Sequence, residues 1–293
     1  MNWAITTLEV MVILFGFSIG IIVLLSAILY VMDRFQVKHT IRRNYPLIGR
    51  FRYFFERMGE FFRQYFFAMD REELPFNRAQ RSWAYRAAKD LDNTVAFGST
   101  KDNRSAGALF FLNCPFPTLE SDAVQSVPLM IGPYAQQPYS APSFFNISGT
   151  SYGAISKPAL QALTYGAKKA GCWLNTGEGG LTEYHLKAGC DIIFQIGTAK
   201  YGVRDEQGNL CERRLAEIAA YPQIKMFEIK LSQGAKPGKG GILPAIKVTE
   251  EIAHIRRIPI GQDSISPNRH LDINSVEELL DKIELVRRIT GKL

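Results

Sequence analysis

An uncharged apolar run near the N-terminus constrains this chain more than any other feature. Residues 10–32, VMVILFGFSIGIIVLLSAILYVM, contain no Asp, Glu, Lys or Arg. As a helix, a run of this length crosses the roughly 30 Å hydrocarbon core of a bilayer. The alternative, a cleaved signal peptide, needs a positive segment before a shorter apolar core. The first ten residues hold Glu9 and no Lys or Arg, so the sequence favours a retained transmembrane anchor in segment 1–33.

Positive charge follows this run directly and predicts its orientation. Arg34, Lys38, Arg42 and Arg43 lie just after it, and of the net charge of +7 most sits between Asp33 and Arg86, with twelve Lys and Arg against six Asp and Glu. Basic residues remain on the cytoplasmic side of a membrane helix. We therefore expect a single-pass protein with its N-terminus outside and its C-terminal part in the cytoplasm. Anionic lipid is the nearer partner for this charge, and no nucleic-acid binding is predicted.

Aromatic residues interleave with these charges in RFRYFFERMGEFFRQYFFAM, residues 50–69. Its apolar positions recur at helical spacing: Phe54, Phe55, Met58, Phe61, Phe62 and Tyr65. This pattern predicts a basic, amphipathic helical region over 34–93, either an interfacial helix or a helix packed on the main domain. Segment 94–140 is rich in proline and aromatic residues without a sustained period, which predicts irregular structure with short strands.

From residue 141 to 293, strand-like and helix-like patterns alternate. The strand-like runs are SFFNIS, CWLN, DIIFQI and KMFEI, and the helix-like runs include KPALQALTYGAKKAG and CERRLAEIAAYP. Alternation of this kind indicates βα units and a parallel sheet, with ligands at the carboxyl ends of the strands. A GxGxxG motif does not follow the first strand, which argues against dinucleotide binding. The cysteines and histidines lack metal-ligand spacing, so no metal site is predicted.

Polar residues gather just after each predicted strand. SGTSYGAIS (148–156) follows the first strand and NTGEGG (175–180) the second. The third strand has Gln195 at its end and precedes Thr198 and Lys200, and the fourth precedes Lys230, Gln233 and Lys236. Glycine lets backbone N–H groups approach an anion that lysine neutralises. GAKPGKGG is not a P-loop, because three residues separate its first two glycines and Gly240 follows Lys239.

These motifs resemble a known family. SGTSYGAIS, NTGEGG and EIKLSQGAKPGKGGILPAIKVT are similar to the FMN-binding domain of glutamate synthases, and RRNYPLIGRFRYFFE resembles a membrane-associated branch of that family. The resemblance extends from about Arg42 to the C-terminus. It implies a (β/α)₈ TIM barrel that holds FMN at its C-terminal face. It also implies an enzyme activity, the reductive amination of 2-oxoglutarate to L-glutamate. Segment ISPNRHLDI (265–273) also resembles a family segment near the site, without a role for His270 or Asp272.

The resemblance also implies roles for individual residues. Lys230 would stabilise reduced flavin, and Glu178 would lie near the reacting carbon. The remaining implied FMN-binding residues are Gly149, Thr150, Ser151, Asn175, Gln195 and Gln233. Substrate carboxylates would bind Lys236 and Arg256.

Departures from the family pattern leave alternatives open. Ile242 stands where the family has a glutamine, and the four predicted strands are half of what a barrel needs to close. We therefore expect the N-terminal half of a (β/α)₈ barrel, with no iron–sulfur cluster and no glutamine-hydrolysing nucleophile. A second polypeptide could complete the barrel, and the electron donor is not identified. The alternatives are a non-catalytic remnant or interaction module, and an FMN oxidoreductase acting on another carbonyl or imine.

Overall fold

The structure, a computed structural model, describes residues 2–91, 104, 106–109, 112, 114–124, 127–234, 236 and 238–292. The described chain is mixed α/β and divides into two compact units, Met1–Pro115 and Phe116–Leu293. Sixteen residues of the predicted irregular segment 94–140, including all of 94–103, lie outside the described residues.

The first unit is helical. Its elements are α1 (Asn2–Phe35), α2 (Thr40–Asn44), α3 (Ile48–Phe62), which continues as a π-helical turn over Arg63–Phe67, and α4 (Arg78–Ala88). In the described part of the chain, Ile5–Phe35 is the one helix long and apolar enough to cross a membrane, and its most apolar window is entirely unburied.

An ion pair with a buried carboxylate joins the end of α1 to the start of α3. Asp33 is 1% exposed, and its Oδ2 and Oδ1 atoms accept hydrogen bonds of 2.7 Å each from Arg50 Nε and Nη2. The backbone N–H of Leu47 also donates to Asp33 Oδ2 at 3.2 Å. Bidentate arginine–carboxylate pairs constrain geometry as well as charge. The turn between these helices is therefore held in one arrangement.

A parallel sheet lies at the centre of the second unit. Strands β3 (Leu174–Asn175), β4 (Ile192–Ile196) and β5 (Ile224–Ile229) pair in chain order, after an antiparallel hairpin of β1 (Leu129–Ile131) and β2 (Tyr139–Ala141). The predicted first strand, SFFNIS, contributes a single parallel bridge between Ile147 and Leu174. Local bonds compete with the ladder there, because Ser143 Oγ accepts from Phe145 N at 3.1 Å.

Helices follow the strands as the alternating pattern predicts. They are α5 (Lys157–Ala170), α6 (Glu183–Leu186), α7 (Glu212–Ala219), α8 (Glu250–Arg256) and α9 (Val276–Thr290). An antiparallel pair, β6 (Ile242–Leu243) and β7 (Ser264–Ile265), flanks α8 in sequence. Ser156 caps α5 and Ser275 caps α9, and each helix ends at a left-handed glycine, Gly171 or Gly291.

The two faces of the sheet have different surroundings. Ile192, Phe194 and Ile196 of β4 belong to the main hydrophobic core, together with residues of the helices such as Leu160 and Leu215. Ile193 belongs instead to a second cluster with Met226, Tyr139 and Ala141. Since side chains alternate along a strand, Gln195 shares the face of Ile193. The second face therefore carries a small apolar cluster and, further towards the carboxyl end of β4, the polar residue Gln195.

Candidate functional site

Three side chains from the ends of two strands form a closed polar cluster. Glu178 lies in the one-turn 3₁₀ helix Gly177–Gly179 after β3, and Lys230 and Gln233 follow β5. Lys230 Nζ lies 3.3 Å from Glu178 Oε2 and donates to Gln233 Oε1 at 3.0 Å. Gln233 Nε2 in turn donates to Glu178 Oε2 at 2.7 Å. Each of the three therefore contacts the other two.

This cluster is partly buried, and residues that follow two further strands, β4 and β7, also contact it. The side chains of Glu178 and Lys230 are 15% and 30% exposed. Thr198, after β4, lies 3.4 Å from Gln233 Nε2, and Ser266, after β7, donates to Glu178 Oε1 at 3.4 Å. The residues after β3, β4, β5 and β7 therefore meet at one place, close enough to solvent for a ligand to reach it.

The predicted residues Asn175 and Gln195 converge on the backbone of Gly149. A Cβ atom at Gly149 would lie 2.8 Å from Asn175 Oδ1 and 3.1 Å from Gln195 Nε2, so only glycine fits there without displacement. Gln195 Nε2 also donates to Glu228, its partner residue on β5. The amides of two neighbouring strands thus point to the same loop.

The other residues of that loop approach the NTGEGG turn. A Cβ atom at Gly177 would lie 2.6 Å from the backbone nitrogen of Ser151 and 2.9 Å from the carbonyl carbon of Thr150. The N–H of Gly177 is itself held by Asn175 Oδ1 at 2.9 Å. The Gly-rich segments after the first two predicted strands therefore pack backbone against backbone.

Arg256, at the end of α8, is a buried cation. It is 6% exposed; its Nη1 donates to Ser264 Oγ at 2.9 Å and its Nη2 to the carbonyl of Tyr152 at 3.0 Å. The guanidinium lies 5.2 Å from the centre of the Tyr201 ring, and its Nε is buried without a hydrogen-bond partner. Burial lowers the pKa of Arg256. Among the described residues it makes no direct ion pair, although the charge of Glu178 opposes this lowering.

Lys236 is placed differently from the other predicted residues. It is exposed on a turn in which its backbone N–H donates to the carbonyl of Gln233 at 3.2 Å. Within the described part of the chain, no bond joins its side chain to Glu178 or Arg256. The structure therefore places Lys236 at the rim and brings the cluster of Glu178, Gln233 and Lys230 together without it.

Segment 264–272 contributes contacts to which the sequence assigned no role. The carbonyl of Pro267 accepts from Thr198 Oγ1 at 2.6 Å, and His270 Nε2 lies 2.9 Å from the carbonyl of Lys230. Burial lowers the pKa of His270. This segment therefore lies against the residues that follow β4 and β5, and the resemblance of ISPNRHLDI was the only signal for it.

Asp272 extends these contacts to Lys200. Its Oδ1 lies 2.8 Å from Lys200 Nζ and its Oδ2 2.7 Å from Lys282 Nζ. Burial opposes ionisation, yet hydrogen bonds from both lysines hold the pKa of Asp272 well below its usual range. Lys200, 5% exposed, is thereby neutralised inside the protein and is not available as a cation for a ligand.

The second unit also carries an open cleft of about 990 Å³. Its lining includes Thr182, Arg204, Arg214, Glu250 and Arg257, and none of the predicted site residues. We assign the candidate site to the strand ends, because the converging polar side chains lie there.

Comparisons with known proteins identify the second unit. Residues 117–293 match the model of the conserved region in glutamate synthase. The chain is 35% identical to the glutamate synthase large subunit-like protein YerD of Bacillus subtilis, over 97% of this chain and 62% of that protein. It is 36% identical to the archaeal-type glutamate synthase [NADPH] of Thermotoga neapolitana, over 59% of this chain and 31% of that protein.

A third relative is the archaeal glutamate synthase [NADPH] of Methanocaldococcus jannaschii, 39% identical over 49% of this chain and 26% of that protein. The chain thus spans less than two thirds of the length of each of these relatives. The similarity to YerD covers 97% of the chain and therefore includes the N-terminal helical unit.

Proposed function

This chain belongs to the glutamate synthase family, and on that premise we propose that it is a membrane-anchored, FMN-dependent oxidoreductase that reductively aminates 2-oxoglutarate to L-glutamate. The observation that carries the proposal is the closed cluster of Glu178, Gln233 and Lys230 at the carboxyl ends of parallel strands. Ligands of parallel α/β folds bind at that end of the sheet. The family membership supports an oxidoreductase role in general.

We propose that the second unit is the N-terminal half of a (β/α)₈ barrel. Strands in chain order, with a helix-covered face and a polar second face, support this arrangement. In the described residues β5 pairs on one side only, so its other edge can accept a further strand. That strand would come from a longer form of the chain or from a second polypeptide.

The residues at the strand ends fit FMN. Backbone of Gly149, Thr150 and Ser151 would line the ring, where the close approach of Asn175 and Gln195 leaves no room for a side chain at residue 149. Lys230 is the cation for the electron-rich part of reduced flavin, and Gln233 is a hydrogen-bonding neighbour. When bound, FMN supplies the hydride that reduces an imine. Glu178 holds Lys230 and Gln233 in their relative orientation.

A dicarboxylate substrate explains the surroundings of Arg256. Burying a guanidinium costs several kcal/mol unless an anion accompanies it, and among the described residues no carboxylate pairs with Arg256. A substrate carboxylate would supply a direct ion-pair partner, with Lys236 at the rim as the second cation and Glu178 near the reacting carbon.

We further propose that α1 spans the membrane once, with the N-terminus outside and the second unit in the cytoplasm. The exposed apolar helix Ile5–Phe35, which carries no charge over residues 10–32, and the basic residues that follow this run support this topology. No nucleic acid is invoked, because the basic residues lie next to the proposed membrane span.

Ile242 favours a second candidate, an FMN oxidoreductase acting on a different carbonyl or imine. Ile242 is 47% exposed on β6 and offers no hydrogen bond where the family has a glutamine. A site that has lost one hydrogen bond to a polar substrate discriminates against that substrate. The third possibility, a non-catalytic remnant, predicts purified protein without flavin.

Two matched lysine variants test the proposal. The full chain purified in detergent should bind FMN, and quenching of flavin fluorescence measures the affinity. Lys230→Ala should weaken FMN binding about tenfold, or about 1.4 kcal/mol, because it removes a partly exposed positive charge. Lys236→Ala should leave FMN binding unchanged and weaken 2-oxoglutarate binding instead. Equal effects of both variants on both ligands would contradict this assignment.

A further inference from the structure

Helix α3 and its π-helical turn, Ile48–Phe67, carry an apolar face that is exposed. At 100° per residue, one side of the helix holds only apolar or aromatic residues: Ile48, Phe51, Phe54, Phe55, Met58, Phe61, Phe62, Tyr65 and Phe66. Most are more than half exposed, including Phe55 at 62% and Phe66 at 66%. A row of exposed aromatics of this length marks a binding surface.

The opposite side of the same helix is charged. Arg52, Glu56, Arg57, Glu60 and Arg63 all fall on it, and Arg52 pairs with Glu56 at 2.9 Å. From Arg34 to Arg63 the chain has eight Lys and Arg against two Asp and Glu. Aromatic residues on one face with arginines on the other are typical of helices that lie at a lipid–water interface.

The Asp33–Arg50 pair ties this helix to the proposed membrane span. Asp33 is two residues from the end of α1, and Arg50 is in the first turn of α3. Because α1 ends where the polar side of the membrane begins, α3 starts at headgroup level. Because α3 follows the proposed membrane span so closely in the chain, the bilayer surface is the nearest partner for the aromatic face.

We propose that Ile48–Phe67 lies in the membrane interface, with its aromatic face among the acyl chains and its arginines among anionic phosphates. This inference rests on the proposed membrane anchoring of α1. The aromatic face would enter the boundary between headgroups and chains by about 5–10 Å. The bidentate ion pair would fix the turn at which the chain passes from spanning the bilayer to lying on it.

Depth measurements on the full chain test this proposal. The chain would be reconstituted into vesicles of phosphatidylcholine and phosphatidylglycerol after replacement of Cys114, Cys172, Cys190 and Cys211 by alanine. Nitroxide labels would be attached after Phe55→Cys, on the aromatic face, and after Arg57→Cys, its matched control on the charged face. Ile19→Cys, in α1, reports on the span. Accessibility to oxygen and to a water-soluble nickel complex would be compared.

The expected result is that positions 19 and 55 favour oxygen severalfold over the nickel complex, whereas position 57 shows the reverse. If position 55 is open to the nickel complex, the face lies in water and the proposal is wrong. It is equally wrong if position 55 is shielded from both reagents, because protein then covers the face. If position 19 also lies in water, the membrane anchoring fails as well.

Discussion

Three glycines of the loop after β5 allow two energetic effects to be measured separately. Gly234 has no positive φ, and a Cβ atom there would meet none of the described atoms within 4 Å. Gly238 has a φ of +88° and equally open space. Gly240 has a φ of +77°, and its Cβ would lie 1.8 Å from the carbonyl oxygen of Ser266. Replacement by alanine should therefore cost little at Gly234. At Gly238 it adds the energetic cost of a side chain at positive φ, and at Gly240 it adds that cost and a steric clash with Ser266.

The magnitudes follow from these geometries. A side chain in the left-handed region costs about 1–2 kcal/mol, which is the expected loss of unfolding free energy for Gly238→Ala. At Gly240 the carbonyl oxygen must retreat by about 1.5 Å to reach an ordinary carbon–oxygen contact. It is held there, because Ser266 N donates to Gly241 O at 2.8 Å. Overpacking adds about 1–3 kcal/mol, so Gly240→Ala should lose about 2–5 kcal/mol in total.

Thermal unfolding of the purified chain, followed by tryptophan fluorescence, measures these losses. Trp173 packs against the second core cluster and reports on the second unit. With about 2–4 °C per kcal/mol, Gly240→Ala should lower Tm by about 4–20 °C and Gly238→Ala by about 2–8 °C. Gly234→Ala should change it little. Equal Tm values for the Gly238 and Gly240 variants would refute the contact between this loop and Ser266.

Asp33→Asn should lower the unfolding free energy of the helical unit by about 1–3 kcal/mol, because Arg50 then keeps its charge without a partner. The loss is limited because Arg50 is one third exposed. Calorimetry that finds no loss would contradict a structural role for the pair. Burial lowers the pKa of His185 to about 4, from 6.5, so the unfolded chain binds a proton that the folded chain does not. The unfolding free energy should therefore fall as pH drops from 6.5 towards 4, by at most about 1.4 kcal/mol per pH unit, and urea titrations of His185→Leu should lack this slope. Ile242→Gln should tighten 2-oxoglutarate binding about tenfold in calorimetric titrations if that acid is the substrate; unchanged affinity would favour the alternative carbonyl substrate.

Local signals in the sequence were sufficient for most helices and strands of the second unit. Helix α5 begins after the Ser156 cap and ends at Gly171, as its proline and glycine positions predict. DIIFQI forms β4 because an apolar run of this length suits a strand buried on both sides. SFFNIS contributes one bridge to the sheet instead of a full strand, and this too has a local cause, because Ser143 and Asn146 bond to nearby backbone.

The candidate site was predictable only where its residues follow strands. Glu178 and Lys230 were expected to meet because carboxyl ends of parallel strands share one edge of the sheet. Contacts such as Thr198 with Pro267 join positions 69 apart in sequence. Neither periodicity nor spacing carries information about such pairs, so the contribution of segment 264–272 required coordinates.

The mutual bonding of Glu178, Gln233 and Lys230 has a consequence for the diversification of this site. Since each side chain orients the remaining two, a replacement at one position changes the orientation of both neighbours, and single substitutions will combine non-additively. New ligand preferences are therefore more accessible through residues outside the triangle, such as Ile242, than through its corners. A library that randomises all three positions together would sample orientations that stepwise replacement cannot reach.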